Sequence, residues 1–146
     1  MNICILAETN KNDHRTPLLP LDIENIKRKN KKLNFYYESS THRIIEDKHY
    51  NAIGCKKYTN QSIDFFLSLK SIKKKVLKRG CAYLFFSEVI QKKPLNIELL
   101  KKIIDKQCSL IDLELTKDSK GENILWQRCA RANQRLFARL NFNLAV

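Results

Sequence analysis

Ile63-Asp64-Phe65-Phe66-Leu67-Ser68-Leu69 is a strand-length apolar run with aromatic residues at its centre. Its apolar positions do not alternate, which predicts a strand buried on both faces. Moving toward the N-terminus, Leu33 to Ser39 (LNFYYES) alternates and is aromatic, and Ile3 to Ala7 is another short apolar run. Both read as strands. Toward the C-terminus, Gly80 precedes a strand over Ala82 to Ser87, and Ser109 to Leu115 (SLIDLEL) is a further one. Helical patterns lie between them. Pro20 precedes a helix that Asp22 is expected to cap and that runs to about Asn30. Asp47 to Ile53 forms a short helix closed by Gly54. Ile97 to Lys106 is the best helix, with Asn96 as its N-cap and Ile97, Leu100, Ile103 and Ile104 on one face. Lys117 to Gly121 reads as a polar turn, Glu122 to Trp126 as a last short strand, and Arg128 to Phe142 as a helix. Strands alternating with helices predict an α/β fold, a mostly parallel sheet flanked by helices and ending in a C-terminal helix.

In such sheets ligands gather beyond the carboxyl ends of the strands. Those ends carry Glu8 to Arg15, Lys70, Ser87-Glu88 and Asp112 to Glu114. That rim is where a site is expected.

Composition excludes several classes. At 146 residues and 43% hydrophobic the chain fits one domain with an ordinary core. No apolar run is long enough to cross a membrane. The opening Met1 to Glu8 lacks the basic region and long apolar core of a signal peptide, so a cytoplasmic location is the default expectation. The five cysteines contain no CxxC pair, which argues against a metal site and for reduced thiols; Cys4, Cys81 and Cys108 are expected to act as small apolar residues. The net charge of +13 lies in short clusters, Lys27-Arg28-Lys29 with Lys31-Lys32 and Lys73-Lys74-Lys75 with Lys78-Arg79. The chain is also rich in Asn and Ile, and AT-rich codons specify all three residue types together. Nucleic acid is therefore disfavoured as a partner, and no recognition motif supports it. There are only three glycines, at 54, 80 and 121, so the chain holds no GxGxxG and no P-loop and no cofactor-binding residues are assigned.

Five stretches, in order, resemble the N-terminal domain of the alanine dehydrogenase / pyridine nucleotide transhydrogenase family, and most of all its lysine-forming saccharopine dehydrogenase branch. Asn12-Asp13-His14-Arg15-Thr16-Pro17-Leu18-Leu19-Pro20, after the first strand, resembles the family's D-x-R-V-x-L-T-P. Ile63 to Lys70 resembles D-x-x-x-G-x-K-E-V, and Tyr83 to Asn96 resembles Y-x-F-F-S-H-T-x-K-x-Q-P-Y-N. Leu110-Ile111-Asp112-Leu113-Glu114 resembles L-x-D-x-E, and Lys120-Gly121 falls at the family's turn.

The resemblance implies a Rossmann/flavodoxin-like substrate domain over residues 1–127. Residues 128–146 would be a C-terminal helix that begins a nucleotide-binding domain in full-length relatives. It implies a truncated half of an NAD(P)-dependent oxidoreductase acting on CH-NH or CH-NH2 donors, inactive alone. No cofactor would be bound by this chain alone. Arg15 matches the arginine that grips a substrate carboxylate, a task its planar fork suits. Lys70 matches the active-site lysine. Glu88 falls on the family's catalytic histidine, a doubtful replacement, because glutamate is an anion at neutral pH. Ser71 replaces the glutamate that follows the family's lysine. The implied ligand is an amino acid or 2-oxo acid, and a separate nucleotide-binding domain is an open partner. Two alternatives stand beside this reading: a non-catalytic amino-acid or 2-oxo-acid binding module, and a basic nucleic-acid-associated protein.

Overall fold

The computed structural model describes residues 1–70, 72, 76–88 and 94–122. The chain divides into two compact units, residues 1–111 and residues 112–146. The strands are β1 (Asn2–Ile5), β2 (Asn34–Tyr37), β3 (Lys56–Lys57), β4 (Phe65–Leu67), β5 (Ala82–Phe85) and β6 (Ser109–Asp112), and the helices are α1 (Pro20–Lys29), α2 (Asp47–Ala52) and α3 (Pro94–Asp105). They build one six-stranded sheet in the order β3-β2-β1-β4-β5-β6. The pairs β1–β2, β1–β4, β2–β3 and β4–β5 are all parallel.

Register explains why the central strands carry so few polar residues. Ile3, Cys4 and Ile5 of β1 lie beside Phe35, Tyr36 and Tyr37 on one side and Phe65, Phe66 and Leu67 on the other. Successive side chains point to opposite faces. Ile3 and Ile5 therefore join Ile23 of α1, Tyr50 of α2, Phe35 and Tyr37 in one core layer. Cys4 and Leu6 join Phe66, Tyr83, Phe85 and the α3 residues Leu99 and Ile103 in the other. Helices thus cover both faces, and the doubly covered parallel sheet expected from the sequence is the fold found. Phe66 and Tyr83, both fully buried, stack with ring centroids 5.1 Å apart. The Tyr83 hydroxyl accepts a bond from the Lys78 N–H at 2.7 Å and donates to the Val76 carbonyl at 3.0 Å. Its burial therefore leaves no orphaned polar atom.

Several local expectations need correction. Asp22 lies inside α1 at its third position rather than capping it, and its Oδ2 accepts the N–H of Leu19 at 3.0 Å. Pro20 takes the first helical position, where its missing N–H costs nothing. α3 starts at Pro94, so Asn96 lies in its first turn and donates through Nδ2 to the Glu88 carbonyl at 2.8 Å. The buried stripe of α3 is Leu99 and Ile103, whereas Ile97 and Ile104 are 41% and 64% exposed. Apolar residues at 97, 99, 100, 103 and 104 offer two overlapping stripes, and only tertiary packing selects one. β3 escaped notice because it is two exposed lysines with no apolar pattern; charge of this kind protects a sheet edge from pairing with other chains.

Within the second unit the described residues form turns. Asp112 accepts the Glu114 N–H at 2.9 Å, and Asp118 accepts the N–H groups of Lys120 and Glu122 at 2.9 Å each. This is the polar turn expected before Gly121. The expected strand over Glu122 to Trp126, the helix from Arg128 and the boundary between 127 and 128 fall in or run into residues 123–146, outside the described residues.

Candidate functional site

The strand order reverses between β1 and β4: β2 and β3 lie to one side of β1, β4 to β6 to the other. Loops leaving such a pair turn away from each other and open a crevice beyond their carboxyl ends. Glu8 follows β1 and Lys70 follows β4, so both stand at this reversal.

Glu8 ties the two exits together. Its Oε1 accepts the Leu69 N–H at 2.8 Å and the Ser68 hydroxyl at 3.2 Å, and its Oε2 accepts the Lys70 N–H at 3.3 Å. One strand over, Oε2 of Glu38 accepts the Ala7 N–H at 3.0 Å. The backbone that carries Lys70 is therefore held by a carboxylate from the neighbouring strand, and its exposed side chain is left to face solvent.

Arg15 lies in the long loop between β1 and α1. The Ile44 N–H donates to the His14 carbonyl at 2.8 Å. The Tyr50 hydroxyl contacts Thr16 Oγ1 at 2.9 Å and donates to the Leu18 carbonyl at 2.8 Å. Tyr50 in turn lies under Arg43, whose guanidinium carbon is 4.4 Å from the ring centroid. Arg43 is only 6% exposed. It donates to the Ile45 carbonyl at 3.0 Å, the Glu38 carbonyl at 3.3 Å and Asp47 Oδ1 at 2.6 Å. A buried, fully engaged guanidinium thus fixes the support on which the Arg15 loop rests.

The Arg15 side chain forms a two-pronged pair with Asp13: Nε to Oδ1 at 2.8 Å and Nη2 to Oδ2 at 2.6 Å. Arg15 remains 61% exposed while the Asp13 side chain is largely covered. The hydrogen-bonded guanidinium holds the Asp13 carboxyl down to about 2, against partial burial that pushes it up, and the Lys70 ammonium adds to the lowering. Arg15 thus bonds the Asp13 carboxylate directly, and Lys70 acts on it only as a weaker electrostatic pull.

Glu88 lies on the same rim at the exit of β5, one strand beyond Lys70, just after the buried Ser87. Its φ of 53° is left-handed, a conformation favoured by glycine and asparagine, and the Asn96 bond to its carbonyl helps hold it there. Sequence reading assigned no role to Glu8, Asp13 or Arg43. Glu8 and Asp13 lay within the quoted rim and motif, and Glu8's partners are two backbone N–H groups and the Ser68 hydroxyl. A signal for Arg43 was available only in its neighbours Tyr50 and Asp47.

Gly54, Gly80 and Gly121 each take a positive φ, and the β1–α1 connection, where a glycine-rich phosphate loop would lie, contains none. Among the described residues no group of three or more His, Cys, Asp or Glu is placed to hold a metal ion. No helix among them is long and apolar enough to cross a membrane.

Comparison with known proteins agrees with this architecture. L-alanine dehydrogenase superposes with a TM-score of 0.68 at 12% identity, covering 84% of this chain and 35% of that one. A transhydrogenase from Sinorhizobium meliloti gives 0.67 at 13% identity, covering 82% and 37%. The mitochondrial alpha-aminoadipic semialdehyde synthase of Mus musculus is 29% identical over 119 residues, which span 81% of this chain and 13% of that protein. The model for the N-terminal domain of alanine dehydrogenase/PNT matches residues 4–128, and the chain belongs to that family.

Proposed function

We propose that this chain is the substrate-binding half of an NAD(P)-dependent amino-acid oxidoreductase of the saccharopine or alanine dehydrogenase kind. The supporting observation is that the exposed Arg15 grips the Asp13 carboxylate through two parallel bonds in the loop after β1, while Lys70 follows β4 across the strand-order reversal. Asp13 occupies the guanidinium fork in the way a ligand carboxylate would. An amino acid or 2-oxo acid would exchange for it, gaining two parallel charge-assisted bonds from Arg15. The exposure of Arg15 leaves room for that exchange. Lys70, whose charge also lowers the Asp13 carboxyl though more weakly than Arg15 does, would supply the group that polarises a carbonyl or holds a proton on the ligand.

Hydride chemistry would need a nucleotide-binding domain, in the same protein or supplied by a partner, and the 146 residues here contain no glycine fingerprint for it. No step through the cofactor is assigned to this chain. Glu88 in place of the family's histidine favours a second reading, binding without turnover, because the imidazole the family uses for proton transfer is absent. A cytoplasmic site of action accompanies both readings.

Isothermal titration of the full chain with pyruvate, L-alanine, 2-oxoglutarate, L-lysine and saccharopine tests the pocket. At least one should bind, and Arg15→Gln should weaken it about 10- to 100-fold, the worth of a charge-assisted pair. No heat with any of them, in a sample shown by circular dichroism to be folded, removes the proposal. Binding without turnover, after a nucleotide-binding domain is added and Glu88 is changed to His, selects the second reading.

A further inference from the structure

Outside the rim, the structure brings two thiols together at the opposite end of the sheet. Cys81 immediately precedes β5 and Cys108 immediately precedes β6, and the two strands are neighbours. The Gly80 N–H donates to the Lys106 carbonyl at 3.1 Å, and the Ser109 N–H donates to the Cys81 carbonyl at 3.1 Å. In a parallel ladder both bonds give the same register, with Cys81 directly beside Cys108. Both side chains lie on the same face, Cys81 within the core layer that contains Tyr83 and Phe85, and Cys108 packed against it. Cys108 Sγ contacts the Lys78 carbonyl at 3.0 Å; Cys81 Sγ contacts the Ile63 carbonyl at 3.2 Å and reaches the Arg79 carbonyl of the same turn at 3.9 Å.

We propose that Cys81 and Cys108 are a thiol pair that forms a reversible intrachain disulfide by exchange with a low-molecular-weight disulfide such as oxidised glutathione. Adjacent strands are about 4.8 Å apart, and a disulfide accepts Cα separations of about 4.4–6.8 Å with Cβ atoms about 3.5–4.5 Å apart. The pair therefore needs only a small inward shift. Cys108, the more exposed of the two, loses its proton to water and its thiolate attacks one sulfur of the small disulfide. That S–S bond breaks and one small thiolate leaves. Cys81 then loses its proton and attacks the Cys108 sulfur, expelling the second small thiolate. Two protein thiols are oxidised and one small disulfide is reduced to two thiols. Burial, with Cys108 adding to it, pushes the Cys81 thiol up, which suits the resolving role more than first attack. Cys4 shares the same core but is fully buried, and burial with the nearby Glu38 carboxylate pushes it up to about 12. Closing the bond would staple β6 to β5, the strand whose exit carries Ser87 and Glu88.

The test is peptide mapping of the native full chain after equilibration in glutathione redox buffers and acid quench. A Cys81–Cys108 cross-link should dominate, and returning the protein to reduced glutathione should reverse it. Cys81→Ser should trap a glutathione adduct on Cys108, while Cys108→Ser should leave Cys81 unmodified. In urea, where the register is lost, the preference for this pair should vanish, a comparison that holds even where a variant folds poorly. A stable glutathione adduct on Cys108 in the native wild type without the cross-link overturns the proposal. A different cysteine pair dominating under native conditions does so too.

Discussion

Replacing Glu8 should both destabilise the domain and loosen the residue that presents Lys70. Its carboxylate serves the Leu69 N–H at 2.8 Å, the Ser68 hydroxyl at 3.2 Å and the Lys70 N–H at 3.3 Å. A hydrogen bond to a charged acceptor contributes about 1.5–3 kcal/mol when its donor is shielded from water. The three donors are not equally shielded: Ser68 is 1% exposed, Leu69 is intermediate and Lys70 is exposed. Water can take over at Lys70, so Glu8→Ala should cost about 2–3 kcal/mol, set mainly by Leu69 and Ser68. Glu8→Gln keeps one carbonyl oxygen for those two and turns an amide donor toward the Lys70 N–H, so it should cost about 1 kcal/mol. Urea unfolding reads these values directly. With a slope of about 1–3 kcal/mol per molar, the Ala variant should lose about 0.7–3 M in midpoint at unchanged slope. Hydrogen exchange should accelerate at the Leu69 and Lys70 amides in the Ala variant. If Ala leaves the midpoint and the Leu69 amide unchanged, the carboxylate does not hold this exit and the argument fails.

Arg43→Met leaves Asp47 without its 2.6 Å partner and two backbone carbonyls without a donor; it should cost about 3–5 kcal/mol in thermal or chemical unfolding, and a cost below about 1 kcal/mol would show the clamp to be idle. Leu99→Ala should cost about 2–5 kcal/mol, while the exposed Ile104 should tolerate alanine within about 0.5 kcal/mol; the reverse order would restore the stripe read from the sequence. Asp13 is lowered from 3.8 to about 2 in the folded protein, so its contribution is present above pH 3.8 and is lost as pH falls toward 2. The exposed Arg15 keeps that contribution below about 1 kcal/mol, and Asp13→Asn, which removes it, should flatten this part of the acid-unfolding curve while tightening carboxylate binding about two- to fivefold.

The fold was legible where burial alone writes the pattern. β1 and β4 are covered on both faces, so their sequences are nearly continuous apolar runs, and no other arrangement accommodates them. β3 left no such trace, because two paired lysines at an edge are chosen by solvent and by the need to avoid other chains. The face of α3 was ambiguous for a different reason: a helix with too many apolar residues satisfies more than one orientation, and the choice of Leu99 over Ile104 is made by the sheet beneath it. Capping failed by two residues for Asn96 because Pro94 already opens the helix, freeing the amide to hold Glu88 instead.

The rim on which a site was expected could be read from topology, but the contacts that hold its backbone could not. Lys70 closely follows β4 and Arg15 lies in the β1–α1 loop, and a motif that reaches these connections is carried to the carboxyl side of the sheet. The groups that hold the exits are carboxylates whose partners are backbone N–H groups on neighbouring strands. Glu8 reaches Leu69 and Lys70, and Glu38 reaches Ala7. A backbone N–H has no residue identity, so no sequence pattern can announce that pairing. The physical design that follows is one in which each strand exit at the reversal is anchored by an acid from its neighbour. The loop that carries Arg15 is itself tied down through Tyr50, which bonds the Leu18 carbonyl and lies under the Arg43 guanidinium.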